Sequence, residues 1–337
     1  MSEPESAIHI GLLIVALAAT AAVFGRARHE PHLPSATRES GSHASLLSII
    51  PPGSAFVLSA DVRQLQRAPL GSFLTQRLSR VAKSSQLETL CGFEPLARLD
   101  QLALSVPSAG RAEPEHAEDF GIIASGQFSA AEIMRCAERA ISARGGEPVP
   151  AELGRFASIR DRNGKGGEVA ARDGGLVIVS GGSYFRALLD AAEGNAPRPA
   201  AKDERDAQHG ELRRALGPGS IVATWLLGEG WFERVAGNAE NPQLSALAGV
   251  RAVAIRGDVA RTLHATVLLD CTNSEAAQQV SNVLAELRRS LRAFPLDPAL
   301  SRAAERIVVS LSEARLKLTL ELDQAELTTL LDLLGGP

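Results

Sequence analysis

The chain has 337 residues, 45% hydrophobic and 22% charged, an ordinary globular balance that excludes a disordered, collagen-like or mucin-like polypeptide. Three cysteines do not make a disulfide scaffold. Lys+Arg 35 against Asp+Glu 39, a net charge of −4, excludes a strongly basic nucleic-acid binder.

In chain order, the first feature is Ile8 to Phe24, IHIGLLIVALAATAAVF, which carries no formal charge. Extended by Ala7 and Gly25 it is roughly 28 Å long as a helix, at about 1.5 Å per residue, enough to cross a bilayer core. The reading is an uncleaved transmembrane anchor over residues 1–25, single-pass in the inner membrane. A cleaved signal peptide is the first alternative, but Glu3 and Glu5 precede the run and no Lys or Arg does. A buried core helix is the second, and it suits an uninterrupted apolar run poorly. Residues 26–45, rich in Pro, Ser and His, read as a flexible tether. Arg26 and Arg28 argue for a cytoplasmic body under the positive-inside rule. The tether argues for an extracytoplasmic one, which is favoured.

The body reads as a duplication. IPPGSAFVLSA from Ile50 parallels LGPGSIVATWL from Leu216, and LARLDQLALS from Leu96 parallels LAGVRAVAIR from Leu247. FGIIASGQFSAAE from Phe120 parallels LHATVLLDCTNSE from Leu263. GLVIVSGGSYFRALLDAAEG from Gly175 parallels RLKLTLELDQAELTTLLDLLGG from Arg315. The shared order of the blocks carries the argument, because identity within each is low.

Local chemistry supports the blocks. Ser129 and Glu132 form a capping box ahead of Ile133, Ala137, Ala140 and Ile141, an apolar helical stripe. Thr272 and Glu275 are expected to do the same ahead of Val280, Leu284 and Leu287. Hairpins are expected from Val169 to Val179, turning at Asp173-Gly174-Gly175, and from Ile307 to Leu322, turning at Ser312-Glu313-Ala314. Leu316, Leu318, Leu320 and Leu322 alternate with polar residues, as a half-buried strand requires. Closing helices end at Gly194 and Gly335. Pro69 opens a short helix with Leu70, Phe73, Leu74, Leu78 and Val81 on one face.

The expected fold class is α+β: an N-terminal transmembrane helix, then two tandem repeats in ferredoxin-like order, with antiparallel sheets and helices on one face. The repeats span 46–194 and 211–337, joined by a polar linker over 195–210.

The chemical motifs are sparse. Asn163 to Gly167 and Gly181-Gly182-Ser183 lack the spacing of a phosphate loop and suit hairpin turns. Glu113, Glu115, His116, Glu118 and Asp119 read as a solvated acidic loop rather than a cation site. Cys91, Cys136 and Cys271 are too far apart in sequence for a zinc motif and read as buried small hydrophobes. In the body, His116, His209 and His264 are the histidines that could serve as bases. Asp61, leaving the first strand, reads as a helix N-cap rather than an acid–base group. Trp225, Trp231 and Phe232 stand out in a chain with 4% aromatics as a candidate partner or ligand patch, against the commoner use as core fill. No catalytic, cofactor-binding or metal residue is assigned.

The segment from Pro51 to Gly71 has the pattern P-x-G-x-A-x-V-x-x-x-D-V-x-x-L…P-L-G. With the lone N-terminal span, it resembles uncharacterised bacterial membrane-anchored proteins with duplicated α+β ectodomains. The resemblance implies an envelope location and a non-catalytic role. It carries no residue assignments. The expected function is therefore a membrane-anchored, non-catalytic binding or scaffolding protein of the bacterial cell envelope. It would contact the membrane through residues 8–24, engage a protein partner, and bind no nucleic acid and no cofactor. The alternative is an anchored hydrolase with its site between the repeats.

Overall fold

A computed structural model of the chain describes residues 46–73, 84–108, 120–163, 167–195, 204–228, 231–232, 245–293 and 298–335. The chain divides into two compact units. The first holds Gly71–Ala207 with the described residues up to Arg67, and the second holds Gln208–Pro337 with Ala68–Leu70.

The first unit contains β1 (Ser54–Asp61), β2 (Leu99–Pro107), β3 (Gly121–Gly126), β4 (Pro148–Leu153), β5 (Phe156–Asp161), β6 (Glu168–Arg172) and β7 (Leu176–Ser180). They lie in the order β1-β2-β3-β7-β6-β5-β4, every neighbouring pair antiparallel. Its helices are α1 (Val62–Arg67), α2 (Ser84–Cys91), α3 (Ala130–Ala143) and α4 (Gly182–Glu193). In the second unit, β8 (Ile221–Leu226), β9 (Val250–Val259), β10 (Leu263–Cys271), β11 (Val308–Ser312) and β12 (Arg315–Leu322) run β8-β9-β10-β12-β11, again antiparallel. The helices there are α5 (Glu204–Leu216), which joins this unit from Gln208, α6 (Ser274–Ala293), α7 (Pro298–Glu305) and α8 (Gln324–Gly335).

The order β8-β9-β10-β12-β11 repeats β1-β2-β3-β7-β6, and 3-10 turns at Leu96–Arg98 and Ala246–Gly249 lead into β2 and β9 alike. The first unit adds the β4–β5 hairpin. The expected ferredoxin-like order is nevertheless overturned. That order separates two parallel strands by a third, with a helix making the crossover. Here β1, β2 and β3 pair in succession as antiparallel neighbours.

Helices on one face is corrected as well. In the first unit Leu188 and Leu189 of α4 join Ile123, Ile178 and Phe156 in one core, with Leu46 and Ile49 at its edge. Helix α3 covers the other face of β5, where Ile141 and Asp161 both crowd Gly146. In the second unit Leu212 and Leu216 of α5 pack on Val222, Ala252, Ala254 and Leu268. Ala277, Val280 and Leu284 of α6 pack on the opposite face, against Val250, Cys271 and Leu316. Strands that are apolar at successive positions, such as β7 (LVIVS) and β8 (IVATWL), are those buried on both faces.

The single-pass inner-membrane anchor is also withdrawn. Among the described residues no helix is long and apolar enough to cross a membrane, and residues 8–24 and the tether lie outside them. The acidic loop with His116 lies outside the described residues too.

Finer expectations divide. Ser129 accepts from the Glu132 N–H at 3.2 Å while the Glu132 carboxylate accepts from the Ser129 N–H at 2.9 Å, closing the capping box. Helix α6 starts one residue later than expected. Asn273, not Thr272, is its cap, accepting from the Ala276 N–H at 2.8 Å. Asp61 caps α1, accepting from the Gln64 N–H at 2.8 Å. Cys91 and Cys136 are not free hydrophobes but a disulfide tying α2 to α3 across a sequence separation of 45. Cys271 is the buried free thiol. The expected linker is in part the start of α5.

Candidate functional site

Strand register assembles a row across the first unit. Asp61 stands opposite Gln101, Gln101 opposite Ser125, Ser125 opposite Leu176, and Leu176 opposite Arg172. Directly paired residues of antiparallel strands share a face. This row lies on the α4 face, at the strand ends where the β6–β7 turn closes. A cavity of about 500 Å³ opens there. Its floor is apolar, from Leu46, Ile49 and Leu176, and its polar lining is Gln101, Ser125, Arg155, Arg172 and Asp173. Asp61, committed to its helix cap, does not line it.

Two turns aim the charges. Gly175 has φ +77°, and a Cβ there would lie 1.8 Å from the Gly126 carbonyl oxygen. The absent side chain lets the β6–β7 turn seat on the end of β3, where the Gly126 N–H donates to the Gly175 carbonyl at 2.9 Å. Asp173 is thereby held at the cavity that Ser125 also lines. Gly154 has φ +60°, and its Cβ would meet the Glu193 carboxylate at 2.0 Å. That carboxylate, at the end of α4, accepts from the Arg155 N–H at 2.8 Å and fixes the β4–β5 turn.

Arg172 places its guanidinium carbon over the Phe156 ring, 5.3 Å from the centroid, a cation–π contact. Burial depresses its pKa, and the like charge of Arg155 adds to the effect while Glu193 opposes it. Among the described residues the guanidiniums of Arg155 and Arg172 and the carboxylate of Asp173 enter no hydrogen bond or ion pair. Two like charges beside one apolar floor, with hydrogen-bonding capacity unspent, are suited to hold an anion.

The residues singled out in the sequence sit elsewhere. Trp225 is half-buried on β8 opposite Val253. Trp231 donates its indole N–H to the Val250 carbonyl at 2.8 Å, packs on the α6-side core, and meets Phe232 edge to face at 5.8 Å. His209 is buried, its Nδ1 2.7 Å from Thr224 Oγ1. His264 is exposed, 3.6 Å from Glu321. None of them lines the cavity. Arg155 and Arg172 do not stand out in the sequence, because an arginine beside a hairpin turn is unremarkable in an arginine-rich chain. Gly154, next to Arg155, and Gly175, three residues after Arg172, are the signal that these turns are packed closely.

No family model and no curated protein matches this chain. It is similar to a solved structure described as crystal form IV of TP0453, at 11% identity and a TM-score of 0.48, covering 85% of this chain and 95% of that one.

Proposed function

We propose that this is a non-catalytic binding protein whose first unit takes a small organic anion in the cavity above Ser125. The observation that carries the reading is the pair of guanidiniums, Arg155 and Arg172, lining the cavity without a carboxylate partner among the described residues. The floor of Leu46, Ile49 and Leu176 asks for an apolar portion, and the volume is in the range of small-molecule pockets. Binding an anion relieves the repulsion between the two arginines and stabilises the folded state by mass action.

Calorimetric titration of the full-length chain with hexanoate, hexyl phosphate and hexanol tests the reading. The two anions bind and hexanol does not. Arg172→Gln weakens the anions by about tenfold or more, the loss expected for a charge-assisted hydrogen bond. Hexanol binding as well as hexanoate, or Arg172→Gln leaving hexanoate affinity unchanged, would sink the proposal.

A further inference from the structure

We infer that the ligand is a zwitterion, an aliphatic α-amino acid, rather than a simple anion. This rests on the cavity in the first unit being the binding site, as proposed above. The observation that goes further is Asp173. It lines the same cavity as Arg155 and Arg172, yet its carboxylate is ion-paired with neither.

An acid at the lip of a pocket for a plain anion works against that anion, because like charges repel in a partly desolvated site. The same acid matches a ligand that carries an ammonium beside its carboxylate. The three chemical parts of an aliphatic amino acid then each have a counterpart. The carboxylate faces Arg155 and Arg172, whose planar donors suit two oxygens. The ammonium faces Asp173. The side chain covers Leu46, Ile49 and Leu176. Gln101 and Ser125 supply neutral donors and acceptors between the charged and apolar ends. Arg172 and Asp173 are neighbours in sequence on the turn that Gly175 seats against the Gly126 carbonyl, and both line the cavity, which favours a ligand whose two charges are themselves close together.

Calorimetry of the full-length chain with L-norleucine, hexanoate and hexylamine tests this. All three carry an unbranched apolar chain of similar length and differ in charge. L-norleucine binds about tenfold or more tighter than hexanoate, and hexylamine binds most weakly. Asp173→Asn inverts the first preference: L-norleucine weakens while hexanoate tightens. Arg172→Gln weakens both. If hexanoate binds the unaltered chain as tightly as L-norleucine and Asp173→Asn changes neither, the zwitterion is wrong and the anion site stands. If hexylamine binds best, or Arg172→Gln affects neither carboxylate, the site itself is wrong and the zwitterion with it.

Discussion

The same place in the two units is built in opposite ways. On β3 and β7 the paired residues near the strand ends are Ser125 and Leu176, and on β10 and β12 they are Asp270 and Arg315. Asp270 is 1% exposed. One of its oxygens accepts from Arg315 at 2.9 Å and the other from Arg251 at 2.7 Å, and Glu211 of α5 lies 3.6 Å from Arg315. The second unit thus supplies the acid that its arginines need, and the row is closed. In the first unit a serine and a leucine stand at the paired positions, Arg155 and Arg172 form no ion pair among the described residues, and a cavity remains. The charge that makes one row structural makes the other receptive, and what separates them is whether a buried carboxylate is present.

The largest test of this contrast is on the turn that shapes the cavity. Gly175→Ala forces a side chain to φ +77° against the Gly126 carbonyl, and should cost about 3 kcal/mol or more in urea unfolding while abolishing ligand binding. A stable variant with normal affinity would show that the β6–β7 turn does not need its close seat on β3.

Asp270→Ala should follow at about 2–3 kcal/mol, because it strips two charge-assisted hydrogen bonds from a buried group. The cost is held down because both arginines reach solvent and can be rehydrated. A change near zero would mean that the closed row is not a structural element.

Alkali should weaken the fold. Burial, helped by Asp270 and opposed by Arg251, pushes the Cys271 thiol from 9.0 up to about 11. A neutral group with a raised folded-state pKa contributes stability fully present below pH about 9 and lost as pH rises through about 11, on the order of 2 kcal/mol. Burial raises Tyr184 in the same sense, where its hydroxyl bridges Ser54 and Ser105 at 2.9 Å each. Urea midpoints measured between pH 8 and 11 should fall less steeply for Cys271→Ala than for the unaltered chain. Equal slopes would remove the thiol from the account.

The helix starts after β3 and β10 compare directly. Ser129→Ala and Asn273→Ala should each cost about 1 kcal/mol, and Thr272→Ala should cost less than either. If Thr272→Ala has the larger effect in denaturant melts, the cap of α6 belongs one residue earlier.

The smallest effect is the most direct comparison. Arg315→Gln should destabilise by roughly 1 kcal/mol, since it takes a partner from Asp270. Arg172→Gln, without ligand, should change stability by less than about 0.5 kcal/mol, since relief of a partly buried charge and of the repulsion from Arg155 offsets the lost contact with Phe156. Equal losses in thermal melts would mean that Arg172 already has an ion-pair partner.

What could be read from the sequence alone were features with local causes. Ser129 and Glu132 are three residues apart, so their reciprocal hydrogen bonds are fixed by helix geometry. Asp61 precedes its helix directly, and the alternation from Leu316 to Leu322 is a property of any half-buried strand. The ordered blocks of the two halves reflect element order, which chain direction carries unchanged. Tertiary structure decided which strands became neighbours. The same succession of strands and helices is compatible with ferredoxin-like pairing and with the antiparallel succession β1-β2-β3, and the difference lies in contacts between residues far apart in sequence. Tertiary structure also joined Cys91 to Cys136, which no spacing rule connects. The cavity is of the same kind. Gln101, Ser125, Arg155, Arg172 and Leu46 come from separate strands and turns, and register and two close glycine contacts bring them together. Charge at a site depends on distance and desolvation, and both are set only when the sheet is assembled.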